Sequence, residues 1–143
     1  MILYSNSNLT EAELLNIDLL WEWHPMRFYD EGAEDNPIPV PKEKQKWLLT
    51  FIERNFVMIK SINKNHSEYS LKQSIDVSKK NGLASLNMTD FDTSAFNDDF
   101  YFYSGAWKMA FFKCGYSFNK PWFLNWTWNI SEKSPYIIAQ KKM

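Results

Sequence analysis

Apolar residues recur at helical spacing along several stretches of this chain, and at strand spacing in one short block near its end. Leu14, Leu15, Ile17, Leu19, Leu20 and Trp21 make a broad apolar face that follows Thr10-Glu11-Ala12-Glu13. That spacing is a capping box, in which the Thr10 hydroxyl accepts from the Glu13 amide and the Glu13 carboxylate reaches back. A first helix is predicted over residues 11–23, ended by His24-Pro25. Trp47, Leu48, Phe51, Ile52, Phe56 and Ile59 predict a second, starting after Pro41 and running to about residue 61. Ser67 is placed to cap a third over residues 68–80, with Leu71 and Ile75 as a short stripe and Lys79-Lys80 at its negative end. A fourth is predicted from Asp98-Asp99 to Cys114, burying Phe100, Tyr103, Trp107, Ala110, Phe111 and Cys114, with Gly115 as the stop.

Between these lie segments of other character. Residues 30–36 are acidic and turn-like, and Pro37-Ile38-Pro39-Val40-Pro41 predicts an extended, polyproline-like strut. Residues 83–97 have no clear period and predict an inserted loop anchored by a few apolar side chains. Trp126 and Trp128 alternate with polar neighbours as a short strand would, and residues 136–139 are the candidate partner strand.

A length of 143 residues with 45% hydrophobic and 17% aromatic content suffices to close one core. Four glycines in the whole chain are too few for a phosphate-cradling loop, or for a sheet of many tight turns. The fold class expected is therefore mainly α: a single small helical domain of about four helices, with room for a short C-terminal β-hairpin. No apolar run approaches the roughly 18 residues of a membrane span, and the N-terminus does not read as a secretory signal, so a cytoplasmic location in a host cell is expected. The lone Cys114 excludes an internal disulfide and paired-thiolate metal clusters.

Charge alters this picture more than composition does. Residues 1–41 carry eight acids against one base, Arg27, for a net of −7, whereas residues 42–143 carry fifteen bases and nine acids, for a net of +6. The division falls at the strut, separating an acidic helical arm (1–41) from a helical core domain with an aromatic C-terminal segment (42–143). Such asymmetry asks which charged surface each piece meets.

Sequence evidence for catalysis is thin. His66-Ser67 with Asp76 has the residue types of a nucleophilic triad, but a helix cap at Ser67 beside an exposed His66 accounts for the same residues. Cys114 falls on an apolar stripe, where a free thiol is a small core residue. Asp90, Asp92, Asp98 and Asp99 suit a divalent cation in type, yet match no calcium loop and serve equally as caps and solvated loop residues. Trp122, Trp126 and Trp128 have the faces to stack bases or anchor a partner, and equally the bulk to fill a core. No enzyme, cofactor or metal is expected.

Three groups of residues carry a further likeness: Asn63-x-x-His66-Ser67-x-Tyr69-x-Leu71-Lys72; Tyr103-x-Gly105-Ala106-x-Lys108-x-Ala110 with Gly115-Tyr116; and Asn129-Ile130-Ser131-x-Lys133-Ser134. Together they resemble a small helical module of phage and other mobile-element proteins, over roughly residues 47–134. The resemblance implies a mobile-element accessory protein and no particular reaction. The chain departs from the module by its insertion at 83–97 and its acidic N-terminal arm.

The expected function is thus a non-enzymatic phage-type protein that binds and inhibits or redirects a host protein, such as a nucleic-acid-handling, CRISPR-type defence component. In this reading Glu11, Glu22, Asp30, Glu31, Glu34 and Asp35 meet a basic groove, and Trp21, Trp23 and Phe28 anchor the contact. The alternative is a nucleic-acid-binding accessory protein using Lys42, Lys44, Lys46, Arg54, Lys60, Lys64, Lys72, Lys79 and Lys80 on phosphates. Nine bases against four acids over residues 42–80, with one arginine, is a modest excess for that purpose. A toxin-neutralising immunity protein is the third reading. The bland reading has the arm fold back on the basic helices.

Overall fold

The computed structural model describes residues 3–14, 27–30, 38–39, 42–67, 70–71, 74, 85–91, 100–102, 104–119 and 126–142. It is a small domain of helices with a three-stranded open sheet near the C-terminus, consistent with the expected mainly helical class with a minor β element, and a second three-stranded sheet is present.

The longest helix, α1 (Lys42–Asn55), turns Trp47, Leu48, Phe51 and Ile52 inward, the stripe its sequence period predicts. α2 (Ser104–Lys113) is different in kind. From Ala106 to Phe112 every residue is buried, Lys108 included, so this helix runs through the core instead of lying on its surface. It ends as Gly115 predicts. With Gly115 at φ +90°, its amide donates to the Phe112 carbonyl and that of Tyr116 to Phe111, the paired bonds of a Schellman stop. α3 (Pro135–Lys141) begins with Pro135, which has no amide to lose there, and buries Tyr136 and Ile137.

α1 packs on both α2 and α3. Phe51 is the hinge of that packing: it stacks on Trp47 at 5.0 Å and meets Phe56, Trp107 and Tyr136 edge-on at 6.1–6.2 Å. Aromatic pairs in such geometry each add about 0.5–1.5 kcal/mol beyond the area they bury.

The C-terminal sheet has the order β3-β6-β5, built from β3 (Met58–Ser67), β5 (Phe118–Asn119) and β6 (Thr127–Ile130), all antiparallel. Tyr4 extends it beyond β5, exchanging backbone hydrogen bonds of 2.9 and 2.8 Å with Phe118. On its inner face Phe118 stacks on Trp126 at 4.5 Å, and Trp128 meets Phe111 of α2. The other sheet has the order β2-β1-β4, from β1 (Arg27–Asp30), β2 (Ile38–Pro39) and β4 (Phe100–Phe102).

Several predicted elements hold. Thr10 and Glu13 make the reciprocal capping box, with both bonds at 3.1 Å, and residues 11–14 are helical. The Ser67 hydroxyl accepts from the Ser70 amide at 3.1 Å, and residues 70–71 and 74 are helical. Trp126 and Trp128 are core, and residues 85–91 are a loop anchored by the fully buried Met88.

Others are corrected. The second helix stops at Asn55 and residues 58–67 are a strand; Val57, Ile59 and Ile62 are β-branched, and the Val57 amide and carbonyl are taken by Ser134 and Ser131 of the C-terminal turn. The fourth helix starts at Ser104, because residues 100–102 pair with β1. Residues 136–139, expected as a strand, are helical, with Pro135 starting the turn. Ile38–Pro39 pairs with β1 and is not a free strut. Most of the first and third helices, Trp122, Asp76, Asp92, Asp98 and Asp99 lie outside the described residues.

Candidate functional site

β3 supplies the surface with the most chemistry. Its ten residues lie against only four of β6, and the register slips twice: Met58 faces Ile130, Asn63 faces Trp128 and Ser67 faces Thr127. Bulging on this scale bends a strand and re-aims its side chains. Here it turns Asn63 inward, where its amide donates at 2.9 Å to both the Ile130 carbonyl and Glu132 Oε2.

His66 comes to the same carboxylate, Nε2 lying 2.5 Å from Glu132 Oε2, while Lys141 of α3 approaches Oε1 at 3.4 Å. Glu132 is held below the usual carboxylate range, first by the Asn63 amide; burial opposes this, and the His66 charge, a smaller effect than burial, adds to the lowering. His66 is 16% exposed, not the exposed imidazole expected from its place beside a cap. The cluster thus ties β3 to the turn before α3. A His–Glu pair has the parts of an orienting dyad, but among the described residues no hydroxyl or thiol is bonded to His66.

The other end of β3 is apolar and wet. Val57, Met58 and Ile59 are 47%, 44% and 38% exposed, and Ile138 of α3, whose amide bonds Ser134, is exposed as well. Lys60 and Lys64 continue the strand as exposed cations with no carboxylate partner among the described residues.

The sequence-derived residues are distributed as follows. Phe28 and Asp30 are in β1, paired with Phe102 and Phe100 respectively. Trp21, Glu22, Trp23, Glu31, Glu34 and Asp35 lie outside the described residues, as do Lys72, Lys79 and Lys80. Lys42 and Lys46 are exposed in the first turns of α1 and Lys44 is half-buried. Arg54 is committed elsewhere: its guanidinium grips Asp90 through both nitrogens and donates to the Asn87 carbonyl, clasping the 85–91 loop to α1. Glu11 pairs at 3.3 Å with Lys113 of α2, a residue outside the basic stretch 42–80.

Glu132 and the exposed Val57–Ile59 run were not among the sequence candidates. Glu132 had no signal, since it joins the site only through the fold. The run did have one, a β-branched alternation that was absorbed into a helical stripe. Among the described residues no three His, Cys, Asp or Glu side chains converge to hold a metal, and no helix is long and apolar enough to cross a membrane. Cys114 is half-buried, and burial followed by the Glu53 charge pushes its thiol up to about 12, which leaves little thiolate for nucleophilic work near neutrality. Comparison with protein-family models, with curated proteins and with solved structures gives no match to this chain.

Proposed function

We propose that this protein is a non-enzymatic accessory protein that binds a partner protein and inhibits or redirects it, its acidic aromatic N-terminal segment forming the contact. The observation that carries the reading is the register of β1 on β2, Phe28 to Ile38 and Arg27 to Pro39. Asp30 ends the first strand, and Glu31, Glu34 and Asp35 belong to the seven-residue connection 31–37. Four acids within six residues of sequence, Asp30, Glu31, Glu34 and Asp35, favour a basic partner groove, and Trp21, Trp23 and Phe28 supply the apolar groups such a contact needs. The resemblance over residues 47–134 supports a phage or mobile-element setting. A basic groove fits best on a host protein that handles nucleic acid, such as a CRISPR-type defence component.

The test is a pull-down of the tagged full chain from host lysate, with nuclease, at about 0.15 M salt, where exposed charge pairs are screened beyond about 8 Å. A stoichiometric protein band that persists, and is lost from the combined variant Glu31→Gln, Glu34→Gln, Asp35→Asn, is the expected result. A band that this variant retains overturns the reading. The nucleic-acid alternative keeps Lys60 and Lys64 in its favour but not Arg54, whose guanidinium is engaged by Asp90. It requires affinity that falls steeply with salt and recovery of nucleic acid in place of a protein band.

A further inference from the structure

We infer that the outer edge of β3 is a second interaction surface, which takes an extended acidic segment of a partner protein as an added strand. This surface is separate from the acidic N-terminal segment and does not depend on it. β3 ends its sheet: β6 covers one side, and among the described residues no strand covers the other. The Val57 carbonyl accepts from the Ser131 amide and the Ile59 carbonyl from the Asn129 side chain, both toward β6. Antiparallel alternation therefore turns the amide and carbonyl of Met58 to the outer edge.

Side chains at this end agree. Successive residues of a strand point to opposite faces, so partial exposure of Val57, Met58 and Ile59 in a row means that both faces are partly open there. An edge with bare backbone groups and apolar side chains is what strand addition uses, main-chain bonds giving affinity and alternate side chains giving selectivity. The register shift between Met58 and Asn63, five positions along β3 against two along β6, anchors the added strand on the Met58 backbone, with Lys60 in the bulge and Lys64 just past it.

Charge selects the occupant. Residues 57–67 contain Lys60 and Lys64 and no acid. A second copy of this edge brings the same two lysines and no acid, so it offers them no opposite charge. Single-stranded nucleic acid needs stacking platforms, and the one ring in this stretch, His66, is held by Glu132. An extended segment alternating Asp or Glu with apolar residues satisfies the lysines, the apolar side chains and the Met58 backbone together.

The test uses the full chain and a fluorescent pool of nine-residue peptides alternating Asp/Glu with Val/Ile/Phe, read by anisotropy. Saturable binding is expected, weakened roughly tenfold by Lys60→Glu with Lys64→Glu. N-methylation of alternate peptide amides, which leaves the protein untouched, is expected to weaken it at least as much. The Glu31→Gln, Glu34→Gln, Asp35→Asn variant is expected to bind the peptides normally, which separates this surface from the proposed function. Absence of binding, equal binding of the N-methylated pool, preference for a Lys-containing pool or for a single-stranded oligonucleotide, or occupation of the edge by a second copy in sedimentation would each overturn it.

Discussion

Asn63 ties the bulged strand to the turn after β6: its amide reaches the Ile130 carbonyl at 2.9 Å, and the same amide group holds Glu132. Asn63 is only 9% exposed, so a substitution that removes the amide strands the Ile130 carbonyl away from water. Asn63→Ala is expected to cost about 1–3 kcal/mol in urea unfolding. Asn63→Asp should cost more, because it sets a second carboxylate against Glu132. Equal stability of Asn63→Ala and the parent would show that water replaces the amide.

The same cluster predicts a pH dependence. In the folded chain Glu132 lies below its ordinary value of 4.5. A depressed acid contributes stability at pH above its unfolded value and loses it as pH falls through the folded one. The parent should therefore lose stability faster than Glu132→Gln as pH drops below about 4.5. Because Glu132 is 40% exposed, the difference between the two should stay below about 1 kcal/mol. Parallel unfolding midpoints from pH 6 down to about 3 would contradict the assignment.

The 85–91 loop is predicted to be a fixed part of the domain. Asn55, fully buried, donates to the Leu86 carbonyl and accepts from Asn87, which sits at φ 59°, while Met88 is fully buried below. Met88→Ala should cost about 2–5 kcal/mol, the range for emptying a buried long side chain. Asn55→Ala is expected to open the loop locally, seen as faster amide exchange at residues 85–91 with less change in α2. Uniform loss of protection across the chain would mean that loop and core open as one unit.

What was legible in the sequence was mostly local. The Thr10–Glu13 box, the Ser67 cap, the Gly115 stop and the Trp47–Ile52 stripe each depend on residues within a turn or two of one another. What was missed depends on distant partners. Residues 56–61 carry apolar side chains that fit a helix and β-branched ones that fit a strand, and Ser131 and Ser134, more than seventy positions away, decide between them. Residues 136–139 read as a strand by composition, yet Pro135 and the packing of Tyr136 on Phe51 make them helical. The candidate site follows the same rule. Lys60 and Lys64 were visible as charges, but that they lie on an open strand edge, while Arg54 is tied to Asp90, is a property of the fold.

Cys114 gives an alkaline counterpart to the Glu132 prediction. Its thiol donates weakly to the Leu49 carbonyl at 3.8 Å, and burial raises it from 9.0 to about 12. Between those values the unfolded thiol releases its proton while the folded one keeps it. The folded state then binds more protons, and stability falls as pH rises above 9.0. Cys114→Ala should flatten this alkaline slope without abolishing it, since burial raises the Tyr116 phenol in the same direction. Alkylation by iodoacetamide at about pH 8 should be far slower for the folded chain than for the chain in urea, because the thiolate is the attacking form. Equal rates in the two states would show that Cys114 is open to solvent and ionises normally, and the alkaline slope would then have to come from Tyr116 alone.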